Sequence, residues 1–310
     1  MRIALGLVLA LFAASLDAQT TIVIGSWNIE HLGRPSKRGG VGNGVAQDSR
    51  DIADYIRASG VDILALAEVT ANDGTDRNVT ISAALQRIRQ QTGQIWDHML
   101  FPKFVGPLDE RRHQRIGVAW NTSRVRRVSQ VMRVNVPLTA NIPGSNGSIW
   151  ARPPHAVKFS FGNGKTDIVV IPLHMKANTD PEPIPVRKRE AEARSLVAQL
   201  PAVRQAMRDS DIVLIGDTNF LRANEAAPQA FRTAGFRDFN AEDESTHLGG
   251  GPFDRVYVPA NQPEFTNQDQ LVFDTEFMQP RNLSRPAFQR RFSDHFMIVA
   301  RVRVLADDDH

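Results

Sequence analysis

The chain has 310 residues, 42% of them hydrophobic and 23% charged, with 21 Gly, 18 Pro and no Cys. That balance excludes a fibrous repeat and wholesale disorder, and the missing cysteines exclude disulfides, thiolate catalysis and cysteine-ligated zinc or iron–sulfur sites. A net charge of +3, from 37 Lys and Arg against 34 Asp and Glu, is no polybasic coat, so an anionic partner must be met by a local patch.

Arg2 is followed by an uncharged apolar run over 3–16 and then by Asp17-Ala18-Gln19, the build of an export signal. The run falls short of the roughly 20 residues that a membrane-spanning helix needs, and a buried first helix or strand is the alternative. The expectation is a secreted or periplasmic protein. Residues 1–18 are a signal peptide, 19–306 a single domain and 307–310 a frayed acidic tail.

Residues 21–27 (TIVIGSW) are short and β-branched, as a buried strand is, and the Gly-, Lys- and Arg-rich stretch 33–44 reads as a loop. Over 46–59, Ile52, Ala53 and Ile56 fall at helical spacing; 62–69 (DILALAEV) is another strand. Residues 79–91 put Ile81, Leu85 and Ile88 on one helical face. Strands are expected over 116–120, 156–161 and 167–173 (DIVVIPL), then a charged amphipathic helix over 186–207, interrupted at Pro201. The segments 211–215 (DIVLI), 255–258 and 296–304 complete the strands. This alternation implies mixed sheets covered by helices, and no repeat or linker divides it.

Several of these strands run directly into residues able to bind a metal or move a proton. The first leads to Asn28 and Glu30, the second to Glu68, the fifth to His174, and 211–215 to Asp217 and Asn219. Strand ends are rigid platforms whose side chains can converge in one crevice. Glu30 and Glu68, with Asn28 and Asp217 as further oxygen donors, form a set suited to a hard cation: Mg²⁺, with Mn²⁺ or Ca²⁺ as options. The alternative for each acid is a helix cap or an ion pair. Two histidines, His174 and His295, could supply a base that activates water and an acid or phosphate donor opposite it. Asp254 could orient one imidazole, and Arg152 could grip a phosphate with its guanidinium fork. Arg111, Arg112, His113, Arg115, Arg124, Arg126 and Arg127 could track a polyanion, or form a solvated loop and strand edge.

In their order along the chain, the segments WNIE, LAEV, IPLH, GDTN, FDRV and SDH resemble the endonuclease/exonuclease/phosphatase superfamily, nearest its deoxyribonuclease I-like branch. The resemblance implies an α/β (α+β) fold: a four-layered sandwich of two packed mixed β-sheets flanked by helices. It places Asn28, Glu30 and Glu68 around the catalytic metal, with Asp294 contributing, and gives Asp217 and Asn219 the orienting of water and phosphate. His295 becomes the general base supported by Asp254, His174 a phosphate donor or acid, and Arg152 a contact to DNA phosphate. Gln114 stands where deoxyribonuclease I has the glutamate that pairs with the first histidine.

The reading is a secreted, divalent-metal-dependent phosphodiesterase, a nuclease hydrolysing DNA in preference to RNA. It acts as a monomer without stable membrane association. The alternatives are a phosphatase or phosphodiesterase of inositol phosphates or phospholipids, sphingomyelinase-like, and a non-catalytic binding scaffold.

Overall fold

The computed structural model describes residues 21–72, 75–102 and 114–308. The expected signal peptide over 1–18 and the basic residues Arg111, Arg112 and His113 lie outside them. In chain order the described strands and α-helices are β1 (Thr21–Leu32), α1 (Ser49–Ser59), β2 (Ile63–Val69), α2 (Val79–Thr92), β3 (Trp96–Leu100), β4 (Arg115–Asn121), β5 (Arg126–Arg127), β6 (Met132–Arg133), β7 (His155–Ser160), β8 (Asp167–His174), α3 (Ile184–Met207), β9 (Ile212–Asp217), α4 (Ala226–Thr233), β10 (Phe236–Asp238), β11 (Asp254–Pro259), β12 (Gln270–Phe273), α5 (Thr275–Met278), α6 (Arg285–Arg291) and β13 (Met297–Arg303).

They form two sheets. One runs β12-β13-β1-β2-β4-β3; the other runs β10-β11-β9-β8-β7-β5, with β6 also paired to β7. Within each sheet one central pair is parallel, β1–β2 and β8–β9, and the remaining pairings described are antiparallel. The apolar runs DIVVIPL and DIVLI follow from burial on both faces of the second sheet. Ile168 and Val170 of β8, with Val213 and Ile215 of β9, pack in the core shared with the first sheet. Their neighbours Val169, Ile171, Leu173, Ile212 and Leu214 face Leu196, Leu200 and Val203 of α3 instead. Helices α1 and α2 cover the first sheet through Ile52, Ile56, Ile81, Leu85 and Ile88. The result is the expected four-layered sandwich.

The differences from the sequence reading are local and physical. Helix α1 begins at Ser49, not 46, because the Asp48 side chain accepts from Arg50 N at 2.7 Å and caps it there. Helix α3 continues through Pro201. One missing N–H is outweighed by Leu196, Leu200 and Val203, all buried against the sheet. The strands β3, β5, β6, β10 and β12 and the helices α4 to α6 have no counterpart in the sequence reading, being short or rich in polar residues such as Asp97 and His98. The tail is fastened further than expected: Ala306 bridges Lys165, and Asp307 N donates to Gly164 O at 3.2 Å. Among the described residues no helix is long and apolar enough to cross a membrane.

Candidate active site

The C-terminal ends of both parallel pairs meet at one edge of the sandwich, and register lines up their polar residues. In the second sheet His174 is paired with Asp217, and Asp217 with Asp254, so the three stand in a row across β8, β9 and β11. Gly216 lets β9 come this close: its φ is 151°, and a Cβ there would lie 2.1 Å from Leu173 O. The first sheet faces this row with Asn28 and Glu68. Asn28 Nδ2 donates to Asp217 Oδ2 at 2.9 Å, stitching the sheets together.

His295 closes the row. A carboxylate only accepts hydrogen bonds, so the 2.7 Å contact from His295 Nδ1 to Asp254 Oδ2 puts the imidazole proton on Nδ1 and leaves Nε2 to accept. Thr246 Oγ1 donates to the same Asp254 oxygen at 2.8 Å. His295 Nε2 lies 3.9 Å from Asp217 Oδ2. The loop is held by its own sequence. Ser293 Oγ donates to Asn28 O at 2.6 Å and accepts from His295 N at 3.0 Å, while the Trp27 indole N–H reaches His295 O at 3.3 Å. The WN and SDH segments, 268 residues apart, are thus one unit.

His174 Nε2 sits 3.6 Å from both Glu68 Oε1 and Asp217 Oδ2. Glu68 Oε2 accepts from His31 N at 3.2 Å and lies 3.6 Å from His31 Nε2. Gln114 Nε2 lies 2.9 Å from His31 Nε2, and its carbonyl accepts from Arg152. Gln114 therefore serves Arg152 and His31 in the described contacts. Behind Arg152, the buried Glu192 of α3 accepts from Trp150 N at 2.8 Å and Lys176 N at 2.9 Å, tying the Arg152 and His174 loops to one helix. Asn219 is steadied by Asn178, whose Nδ2 donates to Asn219 O at 3.0 Å and whose carbonyl accepts from Arg189 at 2.6 Å.

Four non-glycine residues here have left-handed backbone: Glu30 (φ 35°), His31 (φ 56°), Glu68 (φ 59°) and Asn219 (φ 57°). Each costs on the order of 1–3 kcal/mol, a strain that persists where the surroundings over-determine it. The pairing of β2 shifts register around Glu68, so the carboxylate leaves the alternation of its strand.

Glu30 departs from the expected ligand set. Its Oε2 accepts from Arg38 at 3.0 Å, and its Oε1 from Gly39 N at 2.8 Å and Gln289 Nε2 at 3.2 Å. The left-handed turn at Glu30 directs it to this buried ion pair, which closes the 33–44 loop against α6. The other nine expected site residues cluster, and Glu30 stays beside them: its N–H donates to Asn28 Oδ1 at 3.1 Å, and burial together with the Asp294 charge pushes its carboxyl up. Of the expected basic residues, Arg124 pairs with the buried Asp62 at 2.9 Å, at the start of β2 and about 20 Å along the strand from Glu68. Sequence reading missed His31, His247, Thr246, Arg38 and Glu192. None belongs to a recognisable pattern, although His247 directly follows a Thr in a Gly-rich turn.

The electrostatics are those of a crowded anionic crevice. Burial pushes Asp217 up, with the Asp254 and Glu68 charges adding to it and His295 opposing. Burial would lower His295, but Asp254 and Asp217 prevail and hold it well above 6.5. Burial would raise Asp294 as well; His247 and His295 hold it below the usual carboxylate range. Glu68, Asp217, Asp254 and Asp294 thus stand together, and among the described residues the guanidinium of Arg152 faces Glu68 and Asp217. Oxygen donors in excess of positive charge fit a divalent cation of the Mg²⁺ type.

Residues 25–295 match the Endonuclease/Exonuclease/phosphatase family. No curated protein matches the sequence. Among solved structures, the catalytic domain of human Nocturnin with bound sulfate aligns with a TM-score of 0.59 at 18% identity, covering 92% of this chain and 94% of that one. A family protein from Bacteroides thetaiotaomicron aligns at 0.58 with 16% identity, covering 92% and 98%. D. rerio TDP2 complexed with single strand DNA product aligns at 0.52 with 13% identity, covering 91% and 98%.

Proposed function

Because this chain belongs to the endonuclease/exonuclease/phosphatase family, we propose that it is an exported phosphodiesterase that cleaves nucleic acid, DNA before RNA. The chain is a metal-dependent hydrolase of phosphate esters. The observation that carries the finer reading is the Asp254–His295 pair at 2.7 Å, its Nε2 turned toward Asp217. The single-strand DNA product in the TDP2 structure supports a nucleic-acid substrate.

In this reading His295 Nε2 takes a proton from water, and Asp254 holds the imidazole in the tautomer that leaves Nε2 open. The water oxygen bonds to phosphorus in line as the bond to the leaving oxygen breaks. Asp217 and Asn219 orient water and phosphate, and Arg152, with His174, binds the phosphate oxygens as negative charge grows on them. Glu68, Asp294 and Asn28 would hold Mg²⁺, which when bound neutralises charge on the phosphate. Glu30 stays with Arg38 and outside this set.

The test is a panel of supercoiled plasmid, RNA, inositol phosphates and sphingomyelin with Mg²⁺, Mn²⁺ or chelator. Plasmid cleavage that vanishes with chelator and returns with Mg²⁺ is expected. Hydrolysis of the lipid or inositol phosphates alone would overturn the nuclease reading. For export, the expected N-terminus of secreted material is near Gln19; a full-length chain starting at Met1 inside the cell would refute it.

A further inference from the structure

His247 lies in none of the motifs above, yet it is fixed as firmly as they are. Leu248 N donates to Asp294 O at 2.8 Å, Phe296 N donates to Thr246 O at 2.8 Å, and His247 and His295 form an antiparallel bridge. The segment around His247 is therefore clipped alongside Asp294 and His295 like a short strand. Its ring stands edge-on to His295, with centroids 4.7 Å apart at 78°, and 5.2 Å from Phe253.

The orientation of the ring follows from a turn. Gly249 N donates to His247 Nδ1 at 2.8 Å, so Nδ1 is an acceptor and the ring proton sits on Nε2. Only glycine allows this, since a Cβ at 249 would meet Nδ1 at 2.9 Å. Nε2, carrying that proton, lies 3.5 Å from Asp294 Oδ2. An imidazole in this tautomer cannot ligate a cation through Nε2, although two imidazoles and a carboxylate stand together here. It can donate to the carboxylate. The other described side-chain donor near Asp294, the Ser293 hydroxyl, is 3.4 Å from Oδ1 and already committed to Asn28 O at 2.6 Å.

We propose that His247 is a positioning residue: through Nε2–H it holds one oxygen of Asp294 so that the other is presented to the divalent cation. This rests on the reading of Asp294 as a cation ligand. Carboxylates that ligate metals are themselves held by hydrogen bonds, and removing such an outer partner costs roughly 10–100-fold in metal affinity or activity.

The experiment titrates the purified mature protein with Mn²⁺, following free Mn²⁺ by electron paramagnetic resonance. His247→Phe keeps the ring packing against His295 and Phe253 but removes the donor. It should weaken Mn²⁺ binding by roughly 10–100-fold and raise the Mg²⁺ concentration for half-maximal activity equally, leaving kcat at saturating Mg²⁺ near the parent value. His247→Gln, which restores an N–H, should recover most of the affinity, and Gly249→Ala, which displaces the ring, should lose it. Unchanged Mn²⁺ affinity in His247→Phe would overturn the proposal, and so would equal losses in the Phe and Gln variants. A kcat loss at saturating metal with unchanged affinity would place His247 on the substrate instead. A parent that binds Mn²⁺, with His247→Phe weakened but no phosphodiester cleaved by either, would leave this inference standing and remove the proposed function.

Discussion

The two ends of the parallel pair β8–β9 both gather buried carboxylates, and they treat them in opposite ways. At the starting end, Asp167 and Asp209 share Lys158, whose Nζ lies 2.7 Å and 3.3 Å from them. Burial, with Asp167 beside it, pushes Asp209 up, and the lysine remains protonated between the acids. At the finishing end, Asp217 and Asp254 have no lysine among their described contacts; their partners are His295, Asn28 and Thr246. Buried acids are tolerable when a resident cation neutralises them and costly otherwise. The Asp167–Asp209 pair is closed by the chain's own charge. Among the described residues, the finishing end gathers more acids than cations, as a site for a divalent cation does.

The largest effect should come from breaking the finishing end at its base. His295→Ala should lower kcat by roughly 10²–10⁴ with little change in KM. Because the Asp254 and Asp217 charges hold the imidazole's pKa above its ordinary value, the rate should rise as pH climbs through it. Asp254→Asn should lower kcat and move that rising limb to lower pH. The double variant should lose little more than His295→Ala alone, since base and orienter act as one unit. Losses that multiply, or a pH profile unmoved in Asp254→Asn, would show that the pairing has no role in the reaction.

How far this site could be read from sequence depends on where each residue sits. His174 and Asp217 end apolar strands, and Asn28 stands where the regular pairing of β1 with β2 stops, so position and direction are fixed and their convergence follows from pattern. Glu30 lies in the irregular stretch of β1 past Asn28, and its φ of 35° and the Arg38 eight residues on turn its carboxylate to an ion pair. Nothing in WNIE reveals a left-handed turn. Glu68 has the same handedness and turns inward, so the difference is made by what waits on each side. His247 was invisible because its value comes from a Gly249 N–H and a bridge to residues 48 positions later. The layers were legible for the same reason as the strand ends: DIVVIPL and DIVLI alternate between two cores. The polar strand β3 and the short helices carry no such period.

A second prediction addresses the starting end. Lys158→Met leaves Asp167 and Asp209 without their cation, and removing one partner of a largely buried ion pair is destabilising. Denaturant unfolding should register that loss, while kcat at saturating Mg²⁺ stays at the parent value. Adding Asp209→Asn should restore part of the stability. A variant with parental stability but impaired catalysis would erase the distinction between the ends.

The smallest effect is the finest discriminator, because it reads the finishing end without substrate or metal. In chelator, His295 keeps a proton in the folded protein that an unfolded chain would release above pH ~6.5, since its folded pKa is raised. Above that pH the folded state therefore binds more protons than the unfolded one, and stability falls as pH rises toward the folded pKa. The contribution is complete below ~6.5, and one group can change stability by at most about 1.4 kcal/mol per pH unit. The metal-free parent should thus lose stability between pH 7 and pH 8 in denaturant unfolding. Asp254→Asn, which removes the leading carboxylate on His295, should show a visibly shallower slope. Mg²⁺ should offset the decline in the parent, by about 2.7 kcal/mol at a hundred times its Kd. Equal slopes in the parent and Asp254→Asn would mean that His295 is not charged in the empty site. The finishing end would then already be balanced by its own residues, as the starting end is.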